Sequence, residues 1–259
     1  MDGRRFAGLR SRRAALWLAG LLVLAIPLAA AAQRGFFYRS LGIHNADYDG
    51  RFAFVRVRYQ EYTGWAADYP LMERNLTRML YDITELRPNV DAADVLDLDD
   101  PLLLRYPLLY LSEPGYWLPD YSEVNGLRDY LAKGGFLIVD DFHFANEWAV
   151  FEAAMRRVLP AGRIQPLELS HPVFDSFFSI KSLEVPYPGQ LGELGLMGEF
   201  YGIYEDNDPN KRLMVVINYN IDLGDYVEWS ADLNNRYSLV PTNEAYKFLI
   251  NYVLYGLTR

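Results

Sequence analysis

The chain has 259 residues, 51% of them apolar and none of them cysteine, with 25 Lys and Arg against 34 Asp and Glu for a net charge of −9. The apolar share excludes a disordered chain, and the missing cysteine excludes disulfides, a thiol nucleophile and lipid attachment at a cysteine. The acidic balance argues against binding to nucleic acid, whose phosphates such a surface repels.

The first 32 residues read as an export leader. Arg4, Arg5, Arg10, Arg12 and Arg13 stand against one acid, Asp2, and Ala14 to Ala32 carry no charge. Pro27 and the run Ala29–Ala32 suit a cleavage region, which predicts a signal peptide over 1–32; the competing reading is an uncleaved membrane anchor. Ser11-Arg12-Arg13-Ala14-Ala15-Leu16 is a partial twin-arginine pattern, an address for export of folded cargo, and an ordinary secretory leader with several arginines is the equal alternative. The expected location is therefore periplasmic, free or anchored facing the periplasm, with membrane contact only through this segment. Without the leader's five arginines and one aspartate, 20 basic residues face 33 acidic ones, a charge of −13. Residues 36–259 suffice for a single domain with one core.

Along the chain, Phe52 to Tyr59 alternates apolar and polar residues, the period of a strand. Tyr69 to Leu86 places Leu71, Leu76, Met79, Leu80 and Ile83 at helical spacing, with Asp68 as a cap before Pro70. Val90 to Leu98 is a weaker strand, and Pro107 to Ser112 a buried one that ends in the turn Glu113-Pro114-Gly115. Asp120 to Lys133 predicts a helix closed by Gly134-Gly135, Phe136 to Asp140 a buried strand, and Glu147 to Leu159 a helix. Strand and helix in alternation mean βαβ units around a parallel sheet. A half-buried strand is expected over Ile164–Leu169, a hairpin from Phe200–Tyr204 and Leu213–Tyr219, and a closing helix over Thr242–Leu257. The expected fold class is thus α/β: a three-layer, flavodoxin-like, mostly parallel sheet with helices on both faces, a C-terminal β-hairpin insertion and a closing helix.

Three clusters could carry function. Asp140, Asp141 and His143, with Glu147 and Trp148 beyond them, follow a predicted parallel strand, where open α/β sheets place their ligand crevices. Adjacent carboxylates at a strand end do not face the same way, so the pair is no ready acid/base dyad. Either could bind a metal or position His143, while loop and helix capping would equally employ these acids. His171, in Ser170-His171-Pro172, is either a site residue or a turn residue. Asn218, Asn220 and Asp222 resemble the first half of a calcium loop, but Leu223 and Trp229 stand where an EF-hand needs glycine and glutamate. That leaves a looser ligand site or side chains that hold a turn. No metal site is assigned and no cofactor is identified, and the serine-hydrolase elbow, the P-loop, the zincin helix and the dinucleotide fingerprint are all missing.

Gly134 to His143, Glu147-Trp148, Arg157 to Pro160, His171-Pro172, Asn218 to Trp229, Pro241 to Tyr246 and Asn251-Tyr252 together resemble the bacterial family called domain of unknown function 4159. The resemblance implies a class I glutamine-amidotransferase-like, flavodoxin-like fold and brings no established activity. Amidotransferases of that fold use a cysteine at a sharp turn after a strand. Here Ser112-Glu113-Pro114-Gly115 occupies such a turn, and Ser112 would need a base to replace the thiol. The expected function is a non-catalytic ligand-binding or assembly module of the cell envelope, with a carbohydrate, a peptide or an envelope protein as partner. The alternative is a hydrolase of envelope glycans or peptides built on the Asp/His/Glu cluster, with or without a metal.

Overall fold

The computed structural model describes residues 45–59, 64–67, 69–90, 93–231 and 236–258. The predicted leader, and Asp68 as a cap, lie outside the described residues. In chain order the elements are β1 (Val55–Arg58), α1 (Leu71–Ile83), β2 (Asp94–Asp97), β3 (Leu108–Ser112), α2 (Tyr121–Ala132), β4 (Phe136–Asp140) and α3 (Phe144–Val158). β5 (Gln165–Pro166), α4 (Gln190–Glu193), β6 (Glu199–Tyr204), β7 (Leu213–Tyr219), α5 (Leu223–Glu228) and α6 (Leu239–Thr258) follow.

The strands form one sheet in the order β2-β1-β3-β4-β7-β6-β5. The first five run parallel, in the doubly wound order of a flavodoxin-like fold, while β6 pairs antiparallel with β7 and β5 with β6. β3 and β4 are buried at every position because helices cover both faces, so their sequences read as unbroken apolar runs. α2 packs with α3, and α5 packs with both α1 and α6. One apolar core cluster joins Phe136, Ile138 and Val216 of the sheet to Leu76 of α1 and to Phe248 and Tyr252 of α6. Among the described residues no helix is long and apolar enough to cross a membrane.

Local chemistry sets the element ends. Asp120 caps α2 reciprocally with Glu123: its carboxylate accepts from the Glu123 amide at 2.9 Å, and Glu123 accepts from the Asp120 amide at 2.8 Å. Gly126 lets α2 lie against the chain leaving β2, because a Cβ there would meet the Leu98 carbonyl oxygen at 1.9 Å.

Two expectations are corrected. The alternation in Phe52–Tyr59 ordinarily puts polar residues in water, yet Arg56 and Arg58 are buried. Each is neutralised within the fold: Arg56 Nε donates to Glu73 Oε1 of α1 at 2.5 Å, and Arg58 is held in a bidentate pair by Asp97 of β2. The strand expected over Ile164–Leu169 shrinks to Gln165–Pro166, with the Leu167 amide still donating to the Phe200 carbonyl at 2.9 Å.

Candidate functional site

The carboxyl ends of β3, β4 and β7 converge, and three non-glycine residues there take left-handed backbone: Glu113 (φ 51°), Asp141 (φ 62°) and Asn220 (φ 55°). Phe144, at the start of α3, is left-handed as well (φ 61°). Asp and Asn tolerate this region, whereas Glu and Phe rarely enter it, and strain of this kind collects where a turn must aim a side chain.

Asp140 and Asp141 part company at the end of β4. Asp140 is fully buried and accepts four hydrogen bonds, from Tyr110 Oη (2.8 Å), Asn218 Nδ2 (3.1 Å) and the Leu223 and Gly224 amides (3.0 and 2.9 Å). Burial pushes its carboxyl up to about 6, against the lowering effect of those donors. Asn218 in turn accepts from Tyr252 Oη at 2.9 Å, so one buried network ties β3, β4, β7 and α6 to the start of α5. Gly224 makes room for it, since a Cβ would stand 2.5 Å from Tyr110 Oη. Asp140 and Asn218 are therefore framework.

Asp141 points the other way, into a cavity of about 240 Å³ lined by Arg56, Gly64, Ala67, Tyr110, Ser112, Glu113, Asp141, Asp222, Gly224, Asp225 and Glu228. Its oxygens lie 3.4 Å from Ser112 Oγ and 3.4 Å from Tyr187 Oη. Burial, then the charges of Glu113 and Asp140, push its carboxyl up to about 8. Asp222 caps α5, accepting from the Asp225 amide at 2.7 Å, and burial beside Asp141 raises it well above the carboxylate range. Tyr237 Oη donates to Asp225. The lining holds five carboxyl side chains and one guanidinium, and Arg56 is already drawn to Glu73 and, at 3.5 Å, to Glu228.

The other predicted residues surround this cavity or stand away from it. His143 stands at the N-cap position of α3 without a capping bond from its side chain and stacks edge-on against Tyr187, the residue that reaches Asp141. Glu147 accepts from the His143 amide at 2.7 Å and fixes the α3 start. Trp148 packs among Phe142, Tyr201 and Tyr219. Asn220 clamps the β4–α3 turn, accepting from the Phe144 amide at 3.1 Å and donating to Glu199 at 2.9 Å. His171 is not brought to the cluster. Its Nδ1 accepts from the Val173 amide at 3.1 Å, and its ring packs on Tyr204 and Tyr255, by the end of β6 that pairs with the start of β7.

Among the described residues no group of three or more His, Asp or Glu side chains is arranged to hold a metal ion. Asn218 serves in the buried network, Asn220 clamps the β4–α3 turn and Asp222 caps α5.

The sequence reading missed Glu113, Asp225 and Tyr187. Glu113 had a signal: it follows a buried strand and precedes Pro-Gly, the position where a sharp turn projects its side chain. The left-handed residue of that turn is Glu113, not Ser112, so the serine considered as a replacement nucleophile sits inside β3. Tyr187 had none, since a loop tyrosine between prolines says nothing of what it reaches.

The chain belongs to the family described as domain of unknown function DUF4159, whose model matches residues 53–257. A comparison with curated proteins gives no match.

Proposed function

We propose that this protein is an exported ligand-binding module of the cell envelope whose cavity at the ends of β1, β3, β4 and β7 takes a small, positively charged polar group. One observation carries the reading: a walled cavity at the carboxyl ends of parallel strands is lined by five acids and by a guanidinium already engaged with Glu73 and with Glu228, one of those five. Such a site attracts an ammonium group and repels anions. Amino sugars and basic peptides combine that charge with the hydroxyl and amide groups that Ser112, Tyr110 and Tyr187 can meet. The leader supports export. The strand order supports kinship with the glutamine-amidotransferase-like fold, in a member where a glutamate takes the sharp turn and no cysteine exists.

A matched charge series tests the reading. Glucosamine, glucose and glucuronate, and the dipeptides Lys-Ala, Ala-Ala and Glu-Ala, are titrated against the protein by thermal shift. The cationic member of either series raises the melting temperature, and Asp225→Asn weakens that rise. Equal or larger shifts with the anionic members overturn it.

The alternative, a hydrolase of envelope glycans or peptides, is favoured by one feature: a carboxyl pushed up to about 8 at Asp141 is a proton donor at neutral pH. Its other intended members are engaged elsewhere, Glu147 in fixing a helix start and His171 in capping a turn. Turnover of chromogenic glycosides or peptides that vanishes in Asp141→Asn would favour it over binding alone.

A further inference from the structure

Phe144 is 47% exposed and yet held at a left-handed backbone angle, φ 61°. A phenylalanine rarely enters that region, and a ring left half in water gains little burial to offset the strain. The turn that imposes it is clamped from the end of β7: Asn220 accepts from the Phe144 amide at 3.1 Å and donates to Glu199 at 2.9 Å. Ala145 and Asn146 beside it are exposed as well, so the ring stands on an open surface.

The same ring ends a row. Phe144 and His143 meet edge to face with centroids 4.5 Å apart, and His143 meets Tyr187 in the same manner at 5.1 Å. Tyr187 Oη lies 3.4 Å from Asp141, one of the acids of the cavity wall. Aromatic side chains thus lead from the acidic cavity of about 240 Å³ out to an exposed ring. The face of an aromatic ring is its negative side, and it suits the C–H-bearing face of a pyranose, whose hydrogens are the positive partner. An apolar peptide side chain is better served by a pit than by an open ring.

The geometry points to a second subsite outside the cavity, where Phe144, backed by His143 and Tyr187, takes one sugar ring of a glycan whose neighbouring amino group enters the cavity. The ligand class is then an oligosaccharide of amino sugars, which charge alone does not separate from a basic peptide. This subsite rests on the cation reading of the cavity, and its test separates the two.

Calorimetric titration gives the dissociation constants of glucosamine, its β-1,4-linked disaccharide and Lys-Ala with the wild type, Phe144→Gly and Phe144→Tyr. Glycine enters the left-handed region freely, so Phe144→Gly keeps the turn and removes the ring, whereas Phe144→Tyr keeps the ring. The disaccharide should bind Phe144→Gly about five- to tenfold more weakly than the wild type, the worth of one aromatic contact, and Phe144→Tyr within about twofold of it. Glucosamine and Lys-Ala should bind all three proteins alike. Disaccharide binding that survives Phe144→Gly, or an equal loss for all three ligands, overturns the subsite and leaves the charge preference of the cavity standing. If no cationic ligand binds the wild type, the cavity reading falls and the subsite falls with it. Should Phe144→Gly fail to fold, Phe144→Asn takes its place, since asparagine also visits the left-handed region.

Discussion

Asn218→Ala tests the network that builds the site. The amide of Asn218 is fully buried and bridges two other buried groups, donating to Asp140 Oδ1 at 3.1 Å and accepting from Tyr252 Oη at 2.9 Å. Alanine leaves both without that partner. An unsatisfied buried group costs about 1–3 kcal/mol and a charged one more, so the two together with the small void come to about 3–5 kcal/mol. That is a large part of the roughly 5–15 kcal/mol by which a domain is stable. Urea denaturation followed by circular dichroism measures it, with an unchanged slope showing that the midpoint shift is a stability loss. Tyr252→Phe removes only the distal hydroxyl and should cost about 1–2 kcal/mol. Because both substitutions break the same Tyr252–Asn218 bond, the double variant should lose less than the sum of the two. A loss under about 1 kcal/mol for Asn218→Ala, or strict additivity with Tyr252→Phe, would refute the network as described.

Other outcomes follow from the same geometry. Arg56→Met strips Glu73 of its buried cation and should destabilise by about 3–5 kcal/mol, while adding Glu73→Leu should recover much of that loss by removing the orphaned charge; thermal denaturation of the three proteins checks it. His171→Ala should cost about 1 kcal/mol, the worth of a lost cap, and leave the glucosamine and Lys-Ala thermal shifts unchanged; a lost ligand response would return His171 to the site. The pH dependence of stability has a definite sign. Asp141 holds its proton to about 8 in the fold, whereas the unfolded chain releases it near 3.8, so its contribution is fully present below that lower value and lost as pH rises toward 8. Denaturation midpoints measured across that window should fall with pH, at up to about 1.4 kcal/mol per pH unit for one proton.

The architecture was legible because parallel strands covered on both faces leave unbroken apolar runs. Leu108–Ser112 and Phe136–Asp140 announced themselves in this way, and Gly134-Gly135 marked the end of the helix that begins at Asp120. The Arg56 and Arg58 positions misled, because their neutralising partners Glu73 and Asp97 are 17 and 39 residues away and no local pattern joins them. Of the site, the strand-end location of Asp141 and the turn role of Asn220 were readable. The division of labour between Asp140 and Asp141 was not, since it depends on which oxygen meets the Leu223 and Gly224 amides more than 80 residues later. His171 was open between a site role, since it follows a predicted strand, and a turn role, and the turn is what it takes. The two-residue β5 and the turn beyond it carry it to Tyr204 and Tyr255.

The account stands most directly on where a cation goes. Amide chemical shifts of isotopically labelled protein, titrated with Lys-Ala and separately with Glu-Ala, locate the contact residue by residue. Lys-Ala should move the resonances of Ser112, Glu113, Asp141 and Leu223 to Asp225, and Glu-Ala should leave them in place. Shifts from Lys-Ala confined to other surfaces, or the same response to Glu-Ala, would contradict the assignment of this cavity as a cation-binding site.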